Sequence, residues 1–161
     1  MPDLHILKGK EFLAVDDEPD VLDVITELLP DSHISTAGDY ESARQLLLTR
    51  KFDLVILDIM GVNGFALLEL CKERDLPAAM LTAHSITVDS VNRSLKLGAV
   101  SFLPKDELAR LPELVAEILE GLAEGKSHWE KLFQRLGPFF KERIGLTWEE
   151  LEKPKQPPYM Y

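Results

Sequence analysis

The sequence predicts an α/β fold: a doubly wound parallel sheet of five strands with helices on both faces. Three observations predict it. Short apolar runs recur at 10–15, 33–37, 53–57, 78–81 and 99–103. Each is followed by a segment whose apolar residues recur at helical rather than alternating spacing. The strongest run, Leu54-Val55-Ile56-Leu57, has no polar interruption, as expected of a buried strand.

Residues 10–15 read as the first strand. A helix over 19–29 follows, with Val21, Leu22, Val24, Ile25, Leu28 and Leu29 at helical spacing. Pro19 suits its first turn, where a missing N–H costs nothing, and Pro30-Asp31 close it. Residues 33–37 form a weaker strand. Asp39 is the expected N-cap of a helix over 40–50, supported by Ala43, Leu46 and Leu47. The strand at 53–57 leads through a loop with Gly61 and Gly64 into a helix over 65–74. Pro77 precedes the strand at 78–81. A helix over 86–97 carries Val88, Val91, Leu95 and Leu97, and Gly98 sits where a left-handed helix end needs it. Residues 99–103 form the fifth strand. The last helix of the domain spans 107–123, with Leu108, Leu111, Leu114, Val115, Ile118, Leu119 and Leu122 on its apolar face.

The division expected is therefore a main domain at 1–124 and a helical extension with a Pro-rich tail at 125–161. In the extension Trp129, Leu132, Phe133 and Leu136 recur at helical spacing before Gly137-Pro138. Phe139, Phe140 and Ile144 add apolar surface, and Thr147-Trp148-Glu149-Glu150 has the form of a capping box. The end, from Lys153 to Tyr161, reads as extended or disordered. No internal repeat is found.

Composition narrows the function. The chain has 161 residues, 45% hydrophobic and 29% charged, as in soluble globular proteins. No stretch approaches the roughly 20 apolar residues of a membrane span. The start has no basic and apolar signal-peptide regions, so a cytoplasmic protein is expected. The single cysteine, Cys71, reads as a packed small side chain. The net charge of −10 is uneven. Residues 1–124 hold 11 Lys and Arg against 23 Asp and Glu, about −12, and residues 125–161 hold 7 against 5, about +2. An acidic domain without a basic footprint argues against nucleic acid as a partner.

The chemistry sits where the strands end. The first runs into Asp16-Asp17, the third into Asp58 and the fourth into Thr82, and Lys105 follows the fifth by two residues. In a parallel sheet all carboxyl ends lie on one edge, where ligands bind. Adjacent carboxylates such as Asp16 and Asp17 repel unless a cation neutralises them, and Mg²⁺ binds through one or two carboxylates plus substrate oxygens. Asp58 could complete a metal site or act as a nucleophile, since carboxylates form acyl phosphates. Thr82 and Lys105 suit the equatorial oxygens of a phosphoryl group. His5, His33 and His128 have no ligand-like spacing.

This ordered set resembles the receiver domain of bacterial two-component response regulators, CheY-like proteins. The resemblance covers residues 10 to about 123 and rests on Asp16-Asp17, Asp58, Thr82-Ala83, Phe102 and Lys105. It implies a flavodoxin-like sheet of strand order 2-1-3-4-5. It implies that Asp58 is phosphorylated by a sensor histidine kinase or phosphotransfer protein. Mg²⁺ would be held by Asp16, Asp17, Asp58 and the backbone carbonyl of Met60. Thr82 and Lys105 would contact the phosphoryl group, with Thr82 and Phe102 as the switch pair. Ala83 would leave the phosphoryl access path open, and His84 would influence hydrolysis. The implied protein is not an enzyme beyond its own phosphorylation and dephosphorylation, and acts on a downstream protein target, with a homodimer as one possibility.

The sequence departs from that pattern at two places. Asp106, not Pro, follows Lys105, and Pro104 precedes it. The segment from Asp58 to Gly64 is about two residues shorter than usual and lacks the customary Pro. These departures motivate an alternative, a pseudo-receiver acting as a phosphorylation-independent interaction module. A hydrolase using Asp58 as nucleophile is disfavoured, because Met60 stands where such enzymes carry a second Asp.

Overall fold

The apolar runs do become strands, and all but the one at 33–37 are buried along nearly their whole length. The computed structural model describes residues 3–83 and 87–125. In chain order the elements are β1 (Glu11–Val15), α1 (Pro19–Leu28), β2 (His33–Ala37), α2 (Tyr40–Thr49), β3 (Leu54–Asp58), α3 (Gly64–Glu73), β4 (Ala78–Thr82), α4 (Val88–Lys96), β5 (Ser101–Pro104) and α5 (Leu111–Glu124). All strand pairs are parallel, in the order β2-β1-β3-β4-β5. The pleat sorts the side chains into two cores. Leu13, Val15, Val55, Leu57, Met80 and Phe102 pack with α2, α3 and α4. Phe12, Ala14, Leu54, Ile56, Ala79, Leu81 and Leu103 pack with α1 and α5. Residues of β3 are buried on both faces, which is why its run has no polar break. Edge strand β2 is half exposed, which accounts for its weaker pattern.

Local signals hold at most helix ends. Pro19 opens α1. Asp39 caps α2, its carboxylate accepting the Ser42 N–H at 2.7 Å. Gly98 has φ +92° just beyond α4. The helix expected over 107–123 is different. A 3₁₀ helix spans Lys105–Arg110, and α5 begins only at Leu111. Pro112 explains the break. It has no N–H to continue a helix from 107, but sits without cost in the first turn of a new one. A short 3₁₀ helix at Leu4–Leu7 was not expected. Asp3 caps it and Leu7 anchors it in the α1/α5 core.

Register positions the site. Val15 is level with Leu57 in β3, and Asp58 is level with Leu81 in β4. Asp16, Asp58 and Thr82 therefore leave three adjacent strands at one edge. Tight packing fixes the turn after β3. Gly64 is buried, and a Cβ there would collide with the Asp58 carbonyl oxygen and lie 2.9 Å from Ile59 Cα. Backbone cannot yield as a flexible side chain can. Gly64→Ala is expected to cost about 1–3 kcal/mol, read as a lower urea midpoint at unchanged slope.

Among the described residues no helix is long and apolar enough to cross a membrane. The readings placed on His84, on the start of the fourth helix at 86, and on the extension beyond Gly125 lie outside the described residues.

Candidate functional site

Asp16 follows β1 and is wholly buried, and Asp58 ends β3 at 6% exposure. Asp16 Oδ1 accepts the Glu18 N–H at 2.8 Å. Asp58 Oδ2 accepts the Gly61 N–H at 3.2 Å. Lys105, brought in by the 3₁₀ turn after β5, reaches between them. Its Nζ lies 3.0 Å from Asp16 Oδ2, 3.0 Å from Glu18 Oε1 and 3.6 Å from Asp58 Oδ1. The Asp17 carboxylate packs on Gly61, so closely that a Cβ at residue 61 would overlap it. These groups open on a cleft of about 520 Å³, lined by Asp17, Glu18, Asp58, Lys105, the loop Ile59-Met60-Gly61, Ala83, and Thr87 and Ser90 at the start of α4.

The electrostatics follow from crowding three buried or half-buried charges. Burial pushes the Asp16 carboxyl above its usual 3.8; the Glu18 N–H and Lys105 pull it down, and the Asp58 charge adds to the rise. Burial pulls the Lys105 ammonium down, but its hydrogen bond to Glu18 and the close negative charges of Asp16 and Asp58 outweigh it and hold it well above 10.5. An ionised Asp16 therefore costs folding free energy at neutral pH. The folded state binds its proton first, so the cost fades as pH falls through the folded value. Asp16→Asn keeps the Oδ1 acceptor and removes that cost. It is expected to melt higher at about pH 7 without divalent ions, by about 2–4 °C per kcal/mol relieved. The advantage should shrink toward about pH 4; calorimetry across that range checks both points.

The donor set fits a hard divalent ion. One carboxylate oxygen from each of Asp16, Asp17 and Glu18 lies within 4.8 Å of the others, an all-oxygen arrangement suited to Mg²⁺. Asp58 is outside that trio and inside the same cleft. Met60 borders the cleft and is 77% exposed. The Thr82 hydroxyl is buried at this edge with no hydrogen-bond partner among the described residues. Such a group costs about 1–3 kcal/mol, a cost that an incoming acceptor would relieve. Phe102 is fully buried in the core with α2, α3 and α4. Cys71 is packed in the same core, and burial pushes its thiol up to about 12, which leaves it unreactive.

The sequence reading brought Asp16, Asp17, Asp58, Thr82 and Lys105 to one edge, and they are found there. It missed Glu18 as a partner of Lys105. The signal was the acidic run Asp16-Asp17-Glu18 ahead of Pro19, of which only the first two residues entered the expected site. It also missed Thr87 and Ser90 at the cleft wall, whose only sequence mark is a helix N-cap.

A parallel sheet of order 2-1-3-4-5 with acidic groups and a lysine at its carboxyl edge is the architecture of a CheY-like receiver. The chain belongs to the response regulator receiver domain family, whose model matches residues 12–118. It is similar to the two-component response regulator ARR18 of Arabidopsis thaliana, 41% identical over 103 residues covering 60% of this chain and 16% of that protein. It is also similar to the response regulator protein PilR of Pseudomonas aeruginosa, 37% identical over 120 residues covering 70% of this chain and 27% of that protein. The match thus spans well under half of either relative. Among solved structures, the receiver domain of NtrX from Brucella abortus superposes with a TM-score of 0.60 at 32% identity, covering 68% of this chain and 98% of that one. A CheY-like receiver protein from Methanospirillum hungatei shares the fold, with a TM-score of 0.67 at 24% identity over 73% of this chain and 98% of that one.

Proposed function

We propose that the chain is a phosphorylation-dependent signalling switch with Asp58 as phosphoacceptor. The observation that carries this is the setting of Asp58. Its carboxylate faces an open cleft, between the Lys105 ammonium and the Gly61 N–H, beside an acidic cluster. An Asp58 oxygen attacks the phosphorus of a phosphohistidine on a sensor kinase or phosphotransfer protein. The O–P bond forms as the P–N bond breaks, and the imidazole leaves with the electron pair. Asp16 and Asp17, with Asp58 and the Met60 carbonyl, would hold Mg²⁺, which would supply positive charge against the transferring group. Lys105 and the Thr82 hydroxyl take phosphoryl oxygens. Drawing in Thr82 repacks the surroundings of Phe102, which shifts the surface at 83–105 toward a downstream protein.

The alternative, a phosphorylation-independent interaction module, rests on the altered loops at 61–64 and 104–106. Both loops nevertheless deliver their groups: the Gly61 N–H reaches Asp58, and Lys105 reaches all three carboxylates nearest it. That favours the phosphoacceptor. The test is intact mass after incubation with acetyl phosphate. One phosphoryl group is expected, dependent on Mg²⁺ and mapped to Asp58. Absence of labelling with Mg²⁺ present would favour the interaction module.

A further inference from the structure

The best-aligned bond of the Lys105 ammonium goes to a residue outside the phosphoacceptor set. Nζ donates to Glu18 Oε1 at 3.0 Å. Asp16 Oδ2 is equally near but off the hydrogen-bonding direction, and Asp58 Oδ1 at 3.6 Å is beyond hydrogen-bond reach. Glu18 is held for this contact. Its N–H is tied to Asp16, Pro19 after it restricts its backbone to the extended region, and its carboxylate makes no helix-cap bond.

We propose that Glu18 is a positioning residue that holds Lys105 in the unphosphorylated protein, and that a phosphoryl group on Asp58 takes Lys105 from it. The inference rests on Asp58 being the phosphoacceptor. Of the three carboxylates around Nζ, Glu18 alone can be released cheaply. Its side chain is 61% exposed, whereas those of Asp16 and Asp58 are 0% and 8% exposed. Water can take over the Glu18 carboxylate, and an exposed pair of this kind is worth little. An acyl phosphate carries more negative charge than the carboxylate it replaces, so it competes well for the ammonium. The Glu18–Lys105 bond therefore exists before phosphorylation and is lost after it. Removing it favours the phosphorylated state. Removing the charge of Glu18 acts in the same direction, so the two effects must be separated.

Glu18→Asp separates them, since it keeps the charge but is one methylene too short to reach Nζ. With Glu18→Gln and a control, Asp20→Asn, it is assayed by intact mass with acetyl phosphate at saturating Mg²⁺. Both Glu18 variants are expected to label about two- to fivefold faster than wild type, the range of an exposed ion pair, with Asp20→Asn unchanged. The Mg²⁺ dissociation constant of Glu18→Asp, from calorimetry, is expected within about threefold of wild type, because the variant keeps a carboxylate beside Asp16 and Asp17. The Lys105 ¹⁵Nζ signal of the unphosphorylated protein is expected to move in Glu18→Asp. Faster labelling in Glu18→Gln alone would reduce the effect to charge repulsion and overturn the proposal. So would unchanged rates in both, or a tenfold or greater loss of Mg²⁺ affinity. No labelling of wild type, with the Lys105 signal still moved by Glu18→Asp, would overturn the phosphoacceptor reading and leave the Glu18 contact standing; an unmoved signal would overturn the contact itself.

Discussion

Asp58→Asn is expected to take up no phosphoryl group from acetyl phosphate and Mg²⁺, a loss of roughly two orders of magnitude or more in labelling rate. A carboxamide oxygen is a poor nucleophile, and its nitrogen has no free electron pair to offer. The result will be interpretable because the fold tolerates the change. Asn keeps an oxygen to accept the Gly61 N–H and fills the same space at the end of β3. It removes both a charge that pushes Asp16 upward and one that supports the Lys105 ammonium, opposing effects that should leave stability little changed. Circular dichroism and a thermal melt beside the mass measurement check this. Labelling of Asp58→Asn at the wild-type rate, on another residue, would remove Asp58 from its role while leaving the cleft and its acidic groups in place.

How much of this was legible in the sequence depends on whether a feature is set by one segment or by several. The strand at Leu54–Asp58 was readable because burial on both faces forces an unbroken apolar run, and that requirement is local. The meeting of Asp16, Asp58 and Thr82 was readable because parallel strands put their carboxyl ends together, so order along the chain becomes proximity in space. Where loops decide, the sequence said less. The shortened turn after Asp58 keeps a donor on the carboxylate through Gly61 and closes through Asn63 at φ +55° and the buried Gly64. No periodicity encodes that path. The contact between Glu18 and Lys105 joins residues 87 apart through two such turns. The split of the last helix was written in Pro112, but seven apolar residues at helical spacing outweighed one proline in the reading.

Lys105→Ala is expected to cost more stability than any other single change at the site. The ammonium is the one cation facing Asp16, Glu18 and Asp58 among the described residues, and Asp16 has no access to water. Removing one partner of a buried pair leaves an uncompensated charge, worth 3–5 kcal/mol when burial is complete. Lys105 is 17% exposed and beside an open cleft, so about 2–3 kcal/mol is the expected loss at neutral pH. The pH dependence gives the cause. Without Lys105 the Asp16 carboxyl rises further, and on acidification it takes up a proton and sheds its charge, so the deficit should narrow toward about pH 4. In wild type, Lys105 is held above 10.5, so its contribution is complete below that value and is lost only as pH rises through the higher folded one. Labelling by acetyl phosphate should slow by about tenfold to a hundredfold, the range for losing one charged donor to a transferring group. Urea unfolding at several pH values and the mass assay test these together. A deficit that stays constant with pH would mean that lost packing of the lysine stem, rather than the charge of Asp16, accounts for the destabilisation.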